Sequence, residues 1–203
     1  QRGKVLAVVT STNKFATIDK YTGYDLTELA RSYYVLQANG FAVDIASPKG
    51  GKSPVVIDKE DMGAFDFAFL NDGNAQQKAN NTLVLADVNA SDYVGVFFVG
   101  GKGPMFDFPH NEVLQKLVKH FYQTDKMVGA ICHGPVALVD VKLDDGSWLL
   151  ANKNVTAISN QEDWLLIPNA EQLFPFMQES KMSQQGANFE YGNIYLENVR
   201  RDN

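Results

Sequence analysis

Val128-Gly-Ala-Ile-Cys-His-Gly-Pro-Val136 carries the chain's only cysteine, Cys132, at the end of a short apolar run over residues 127–131. Gly134 and Pro135 mark a tight turn, and the apolar residues after them can open a helix. A buried strand running into such a turn holds one side chain at its C-terminal end, where ligands of open α/β sheets collect. In layout this is a nucleophile elbow, a strand-to-helix corner that exposes a reactive group. N–H groups at a helix start favour a thiolate, so this reading expects a Cys132 pKa well below the ~8.5 of a free cysteine. The competing reading makes Cys132 a small buried apolar residue, as most free cysteines are.

Working outward, Tyr93-Val-Gly-Val-Phe-Phe-Val99 is the most strand-like segment and runs into Gly100-Gly101-Lys102-Gly103-Pro104. Between it and the elbow, Val113, Leu114, Leu117, Val118 and Phe121 recur at helical spacing. Near the start, residues 5–9 form a continuous apolar run. Leu26, Leu29, Ala30, Tyr33, Tyr34 and Leu36 then mark a helix that Asn39-Gly40 stops, and residues 41–46 make the next strand. Strand, helix and strand in this order form a right-handed βαβ unit. The pattern further predicts a loop over 53–65, a short helix over 80–88 and a strand over 153–158. A helix over 173–182 and a final strand pair over 189–196 complete it. Residues 5–9, 43–46, 94–99 and 128–131 are apolar without alternation, which predicts adjacent core strands covered on both faces. The expected architecture is one α/β domain over residues 1–203, a mostly parallel sheet between helical layers.

Composition narrows the function classes. The 203-residue chain has a net charge of −6 and shows no basic stripe, which argues against a nucleic-acid partner. No apolar run is long enough to span a bilayer, and residues 4–10 read as a strand rather than a signal peptide. One cysteine leaves no intramolecular disulfide, which suits a reducing compartment such as the cytoplasm. The sequence opens on Gln1 rather than Met, from which a trimmed start is expected.

Three strand ends carry unusual residues on one side of the expected sheet. The first precedes Glu28, the second is the Gly100 to Gly103 loop, and the third is Cys132. A glycine pair lets backbone N–H groups approach a bound oxyanion, though it is more often only a turn. Glu28 follows Asp25 by one helical turn on an otherwise apolar face. It is either a solvated surface residue or a proton-transfer partner aimed at Cys132. His133 neighbours the cysteine, and Glu162 or Asp163 could orient a histidine, unless they are a surface acidic pair. Asp58, Glu60 and Asp61 have no accompanying histidine, and His110 and His120 show no ligand spacing. No metal or cofactor is expected.

AICHGP, GGKGPMFDFP, TGYDLTELA and ASPKGG occur in that family's arrangement and resemble the ThiJ/PfpI branch of the glutamine-amidotransferase-like superfamily. Within it the chain looks most like the heat-inducible chaperone and glutathione-independent glyoxalase subgroup. The resemblance implies a flavodoxin-like three-layer sandwich, a homodimer and a Cys-His-acid site with a glutamate beside the cysteine. Carried over, Cys132 is the nucleophile, His133 its neighbour, and Glu28 the glutamate of the TGxxxxE pattern. Gly101 and the His133 backbone would form the oxyanion site, with Gly100 and Lys102 at the substrate. Asp163 matches the acid partner best, with Glu162 in reserve. The family's GGHG is Gly100-Gly101-Lys102-Gly103 here, and the chain stops at Arg200-Arg201-Asp202-Asn203, where a TGQNPxS segment would begin.

The implied activity is conversion of methylglyoxal, a small 2-oxoaldehyde, to lactate without glutathione, metal or other cofactor. A cysteine-dependent deglycase, amidase or peptidase would use the same nucleophile on another substrate. A stress holdase or redox sensor would use the cysteine without turnover.

Overall fold

The computed structural model describes residues 2–202. In chain order the elements run β1 (Lys4–Val8), β2 (Tyr24–Asp25), α1 (Leu26–Ala38), β3 (Ala42–Ser47) and β4 (Val55–Val56). After them come α2 (Ala64–Asn71), α3 (Gly73–Asn80), β5 (Leu83–Val84), β6 (Gly95–Phe98), α4 (Pro104–Asp107), α5 (Glu112–Gln123) and β7 (Met127–Ala130). The chain continues through β8 (Asn154–Val155), α6 (Asn160–Leu166), α7 (Ala170–Leu173), α8 (Gln178–Gln184) and β9 (Asn188–Phe189). Five strands form one parallel sheet in the order β5-β3-β1-β6-β7, with Val8 opposite both Ala46 and Phe98. The pairs β2–β4 and β8–β9 lie outside it.

Alternate residues of each strand feed two separate cores, which is what makes three layers. Leu6, Val8, Val96 and Phe98 join α4, α5 and the 3₁₀ segment Gly134–Leu138, where Leu114, Leu117, Val118 and Phe121 of α5 are buried. Ala7, Val9, Val43, Ile45 and Val99 join α1, α2 and α3 on the opposite face. Each large side chain so enclosed contributes ~1.5–3 kcal/mol. Asp25 starts α1 by accepting from the N–H groups of Thr27 and Glu28, which places Glu28 in the first turn, beside the sheet. Among the described residues no helix is long and apolar enough to cross a membrane.

The four core strands are adjacent as expected, but β7 is not covered on both faces. It is the edge of the sheet. Val128 and Ala130 pack into the α5 core, whereas Met127 is 46% and Ile131 41% exposed. The helices of the second layer stand over β3 and β1, leaving the far face of β7 open. Several other expectations are corrected. Residues 80–88 hold the end of α3, β5 and a 3₁₀ turn rather than one helix, because Thr82 bridges to Gly51 and Leu83 pairs with Ala46. The loop expected over 53–65 contains β4 and the start of α2. Only Asn154–Val155 of the expected strand at 153–158 pairs, with β9. Beyond β9 the chain is irregular instead of forming a second strand. Pro175 splits the expected helix at 173–182 into α7 and α8, since a proline lacks the N–H and constrains its predecessor.

Candidate active site

Cys132 follows β7 with a positive φ of 58° and leads through His133 into the 3₁₀ segment. A left-handed conformation at a non-glycine residue is held by its surroundings at a cost of ~1–3 kcal/mol, and such residues cluster at functional sites. The helix expected after the turn is this five-residue 3₁₀ segment, a weaker source of aligned dipoles than an α-helix.

The three strand ends meet at the sulfur. His133 is 1% exposed; its Nδ1 lies 3.5 Å from Cys132 Sγ and its Nε2 is 2.8 Å from Asp163 Oδ1. With the carboxylate accepting from Nε2–H, the imidazole presents Nδ1 as an acceptor to the thiol. Asp163, fully buried at the start of α6, is therefore the carboxylate on the histidine. Glu162 is not. It closes a capping box with Ser159 and accepts the N–H of Tyr195. Glu162→Ala should cost ~1 kcal/mol of stability by loss of that cap and leave Cys132 alkylation unchanged. Urea unfolding and iodoacetamide kinetics check both halves; an altered thiol would return Glu162 to the site.

Glu28 reaches the cysteine from α1. Its Oε2 accepts the Gly100 N–H at 2.6 Å, and its carboxyl group lies beside the Cys132 side chain across Gly100. Burial, then the charge of Asp25, raises its pKa to about 8, against the lowering effects of the Cys132 side chain, the Gly100 hydrogen bond and the Lys102 charge. Because Oε2 is occupied as an acceptor, a proton on this acid belongs on Oε1. Gly100 thus serves Glu28 rather than a bound oxyanion, and a Cβ there would lie 2.6 Å from Glu28 Oε2 and 2.7 Å from Cys132 Cβ. Gly101 needs its glycine for a φ of +86° and for close approach to the Gly23 carbonyl. The backbone N–H groups of Gly101 and His133 act to lower the Cys132 pKa. Lys102, half-buried, contributes positive charge near Glu28.

The expected low thiol pKa is corrected. Cys132 is pushed well above the ordinary value, chiefly by burial and next by the charge of Glu28, which outweigh the two N–H groups. The residue keeps some accessible surface, but its thiol sits in dense protein beside an acid. It rests as a thiol and needs a base at the moment of attack; His133 Nδ1 stands in that position.

Two supporting residues escaped the sequence reading. Asp107, whose pKa is raised to about 6 by burial, accepts from Thr10 Oγ1 and the Ser11 N–H and ties the loop after β1 to α4. Gln178 of α8 donates to the Cys132 carbonyl at 2.9 Å. Neither carries a local pattern, since both act across gaps of 46 to 97 residues.

This geometry has known relatives. Residues 16–165 match the DJ-1/PfpI family. The chain belongs to the DJ-1/PfpI family. Among curated relatives, hsp3102 of Schizosaccharomyces pombe, named a glutathione-independent glyoxalase, is 30% identical over 167 residues, covering 78% of this chain and 70% of the relative. Another protein of that yeast, hsp3105, is 31% identical over 151 residues, covering 70% of this chain. The match spans only 58% of hsp3105's own length. The solved structure of Rapid Encystment Protein 24 kDa from Francisella tularensis superposes with a TM-score of 0.92 at 32% identity, covering 98% of this chain and 88% of that one. Glyoxalase III of Candida albicans shares the fold, with a TM-score of 0.81 at 24% identity over 94% of this chain and 83% of its own. The DJ-1/PfpI sheet and helices are those expected of a flavodoxin-like sandwich.

Proposed function

We propose that this DJ-1/PfpI protein is a cofactor-independent glyoxalase that converts methylglyoxal and related 2-oxoaldehydes to 2-hydroxy acids. The observation that carries the reading is the Glu28 carboxyl group, with a pKa of about 8, in contact with the Cys132 side chain. A hydrolase needs a nucleophile, a histidine and an oxyanion site. An aldehyde isomerase also needs a base that can take a proton from carbon, and a buried glutamate at neutral pH is far more basic than an ordinary one. The names of the relatives point the same way.

The steps balance without an outside oxidant. The Cys132 sulfur bonds to the aldehyde carbon while His133 Nδ1 takes the thiol proton and passes it to the carbonyl oxygen, giving a hemithioacetal. The Gly101 and His133 N–H groups stabilise the developing oxyanion. The Glu28 carboxylate then removes the hydrogen of that carbon, leaving an enediolate, and returns a proton to the neighbouring carbon. The first carbon is thereby oxidised to a thioester and the second reduced to an alcohol. Water cleaves the thioester, releasing the hydroxy acid and the thiol. Lys102, which stands where the resembled GGHG pattern has a histidine, adds positive charge near Glu28 and so favours the enediolate. The homodimer implied by the resemblance and a cytoplasmic setting belong to the same reading.

The test is lactate formation from methylglyoxal by the purified protein, without glutathione and after chelation of metals. Turnover that disappears in Cys132→Ala is the expected result. A protein that alkylates at Cys132 but leaves methylglyoxal unchanged would instead favour the hydrolase or holdase readings.

A further inference from the structure

Gln178, the first residue of α8, is fully buried, and its Nε2 donates to the Cys132 carbonyl. Its Oε1 has no hydrogen-bond partner among the described residues. The orientation of the amide is fixed by chemistry, because the reversed form would set two acceptor oxygens against each other. A residue that only filled space would be better replaced by an apolar one, since an unpaired buried acceptor is costly. The bond to Cys132 is what the amide contributes.

That bond acts on a peptide unit with a second function. Cys132 is held at a positive φ, and its carbonyl is pinned by Gln178 Nε2 at 2.9 Å and by the Ile158 N–H at 3.3 Å. A trans peptide is planar, so its C=O and N–H point in opposite directions. Fixing the Cys132 carbonyl towards α8 therefore turns the His133 N–H to the opposite side of the same peptide, away from α8. Beside Gln178, Glu179 Oε2 accepts from the Asn160 N–H at 2.7 Å and Ser180 Oγ from Asn160 Nδ2 at 2.8 Å. These bonds lock α8 to α6, which carries Asp163 and so fixes the His133 ring.

We propose that Gln178 is a positioning residue that orients the oxyanion donor of His133 by holding the Cys132–His133 peptide, touching neither sulfur nor substrate. This rests on Cys132 being the nucleophile, as in the proposed function. An oxyanion N–H matters most in the transition state, so losing its alignment lowers kcat more than it changes KM.

The experiment compares Gln178→Met, which keeps length but loses the donor, with Gln178→Glu, whose buried carboxyl donates to the same carbonyl while protonated. For Gln178→Met the expected result is a kcat lower by roughly 10- to 100-fold with KM nearly unchanged. The pH midpoint of Cys132 alkylation should rise by about one unit. Gln178→Glu should approach wild-type behaviour at low pH and fall to the level of Gln178→Met as its acid ionises. If Gln178→Met does not fold, the same recovery on acidification of Gln178→Glu decides the matter alone. Wild-type kcat and a wild-type alkylation profile in either variant, with only the melting temperature lowered, would overturn the proposal. The alkylation profile is independent of turnover. A protein inactive on 2-oxoaldehydes would therefore remove the glyoxalase reading and still test this one.

Discussion

Replacing Glu28 by Gln leaves Cys132 reactive towards iodoacetamide while turnover of methylglyoxal falls by about 10²–10⁴-fold, the usual weight of a general base. The carboxamide can occupy the same place, with its oxygen accepting the Gly100 N–H and its NH₂ facing the sulfur. The change removes a negative charge that raises the thiol pKa, so the alkylation midpoint shifts to lower pH than in the wild type. It also removes the group that takes the proton from carbon in the proposed sequence, and the loss of turnover follows from that. Glu28→Ala differs because it leaves the Gly100 N–H without its acceptor, a loss of ~1–3 kcal/mol for a buried donor. A Glu28→Gln protein that turns over methylglyoxal at more than a tenth of the wild-type rate would eliminate Glu28 as the base.

Much of this site is written locally in the sequence. The run ending in Cys132 and the glycines after β6 read correctly as strand ends, and a parallel sheet brings such ends to one side, where α1 then delivers Glu28. Asp163 was legible only through family resemblance, because a buried acid and a surface acid look alike in a sequence; the capping box is what separates Glu162 from it. Gln178 left no trace, since it lies within a segment read as one helix and its partner is far along the chain. The misread stretch at 80–88 has a similar cause. Leu83 and Val84 become a strand by pairing with Ala46 and Ser47, a tertiary choice that overrides local helical tendency. In α2, Phe65 and Phe67 are exposed while Phe69 is buried, so no clean apolar stripe announced the helix. The sign of the thiol shift failed for an energetic reason. A turn's dipoles can be guessed from sequence, whereas the desolvation that overrides them depends on everything packed around the sulfur.

The elevated acid also makes the fold's stability depend on pH in a defined direction. In the unfolded chain Glu28 ionises near its ordinary 4.5, whereas in the folded protein it holds its proton to about 8. Between these values the folded state binds the extra proton, so stability falls as pH rises through the window. Below it both states are protonated and the contribution is whole; above it both are ionised and the loss is complete. At ~1.4 kcal/mol per pH unit the ceiling is ~5 kcal/mol, trimmed by the partial solvent access that Glu28 retains. The comparison is best made in a Cys132→Ala background, which removes the thiol's own titration and also a neighbour that lowers the Glu28 pKa. Asp107, raised to about 6, contributes equally to both proteins and cancels. Urea unfolding of Cys132→Ala and of Cys132→Ala with Glu28→Gln should therefore give an increment favouring the glutamine that grows by a few kcal/mol from pH 5 to pH 8.5. An increment that stays constant across that range would mean that Glu28 ionises as an ordinary surface glutamate, a carboxylate at neutral pH but without the raised basicity that proton removal from carbon draws on.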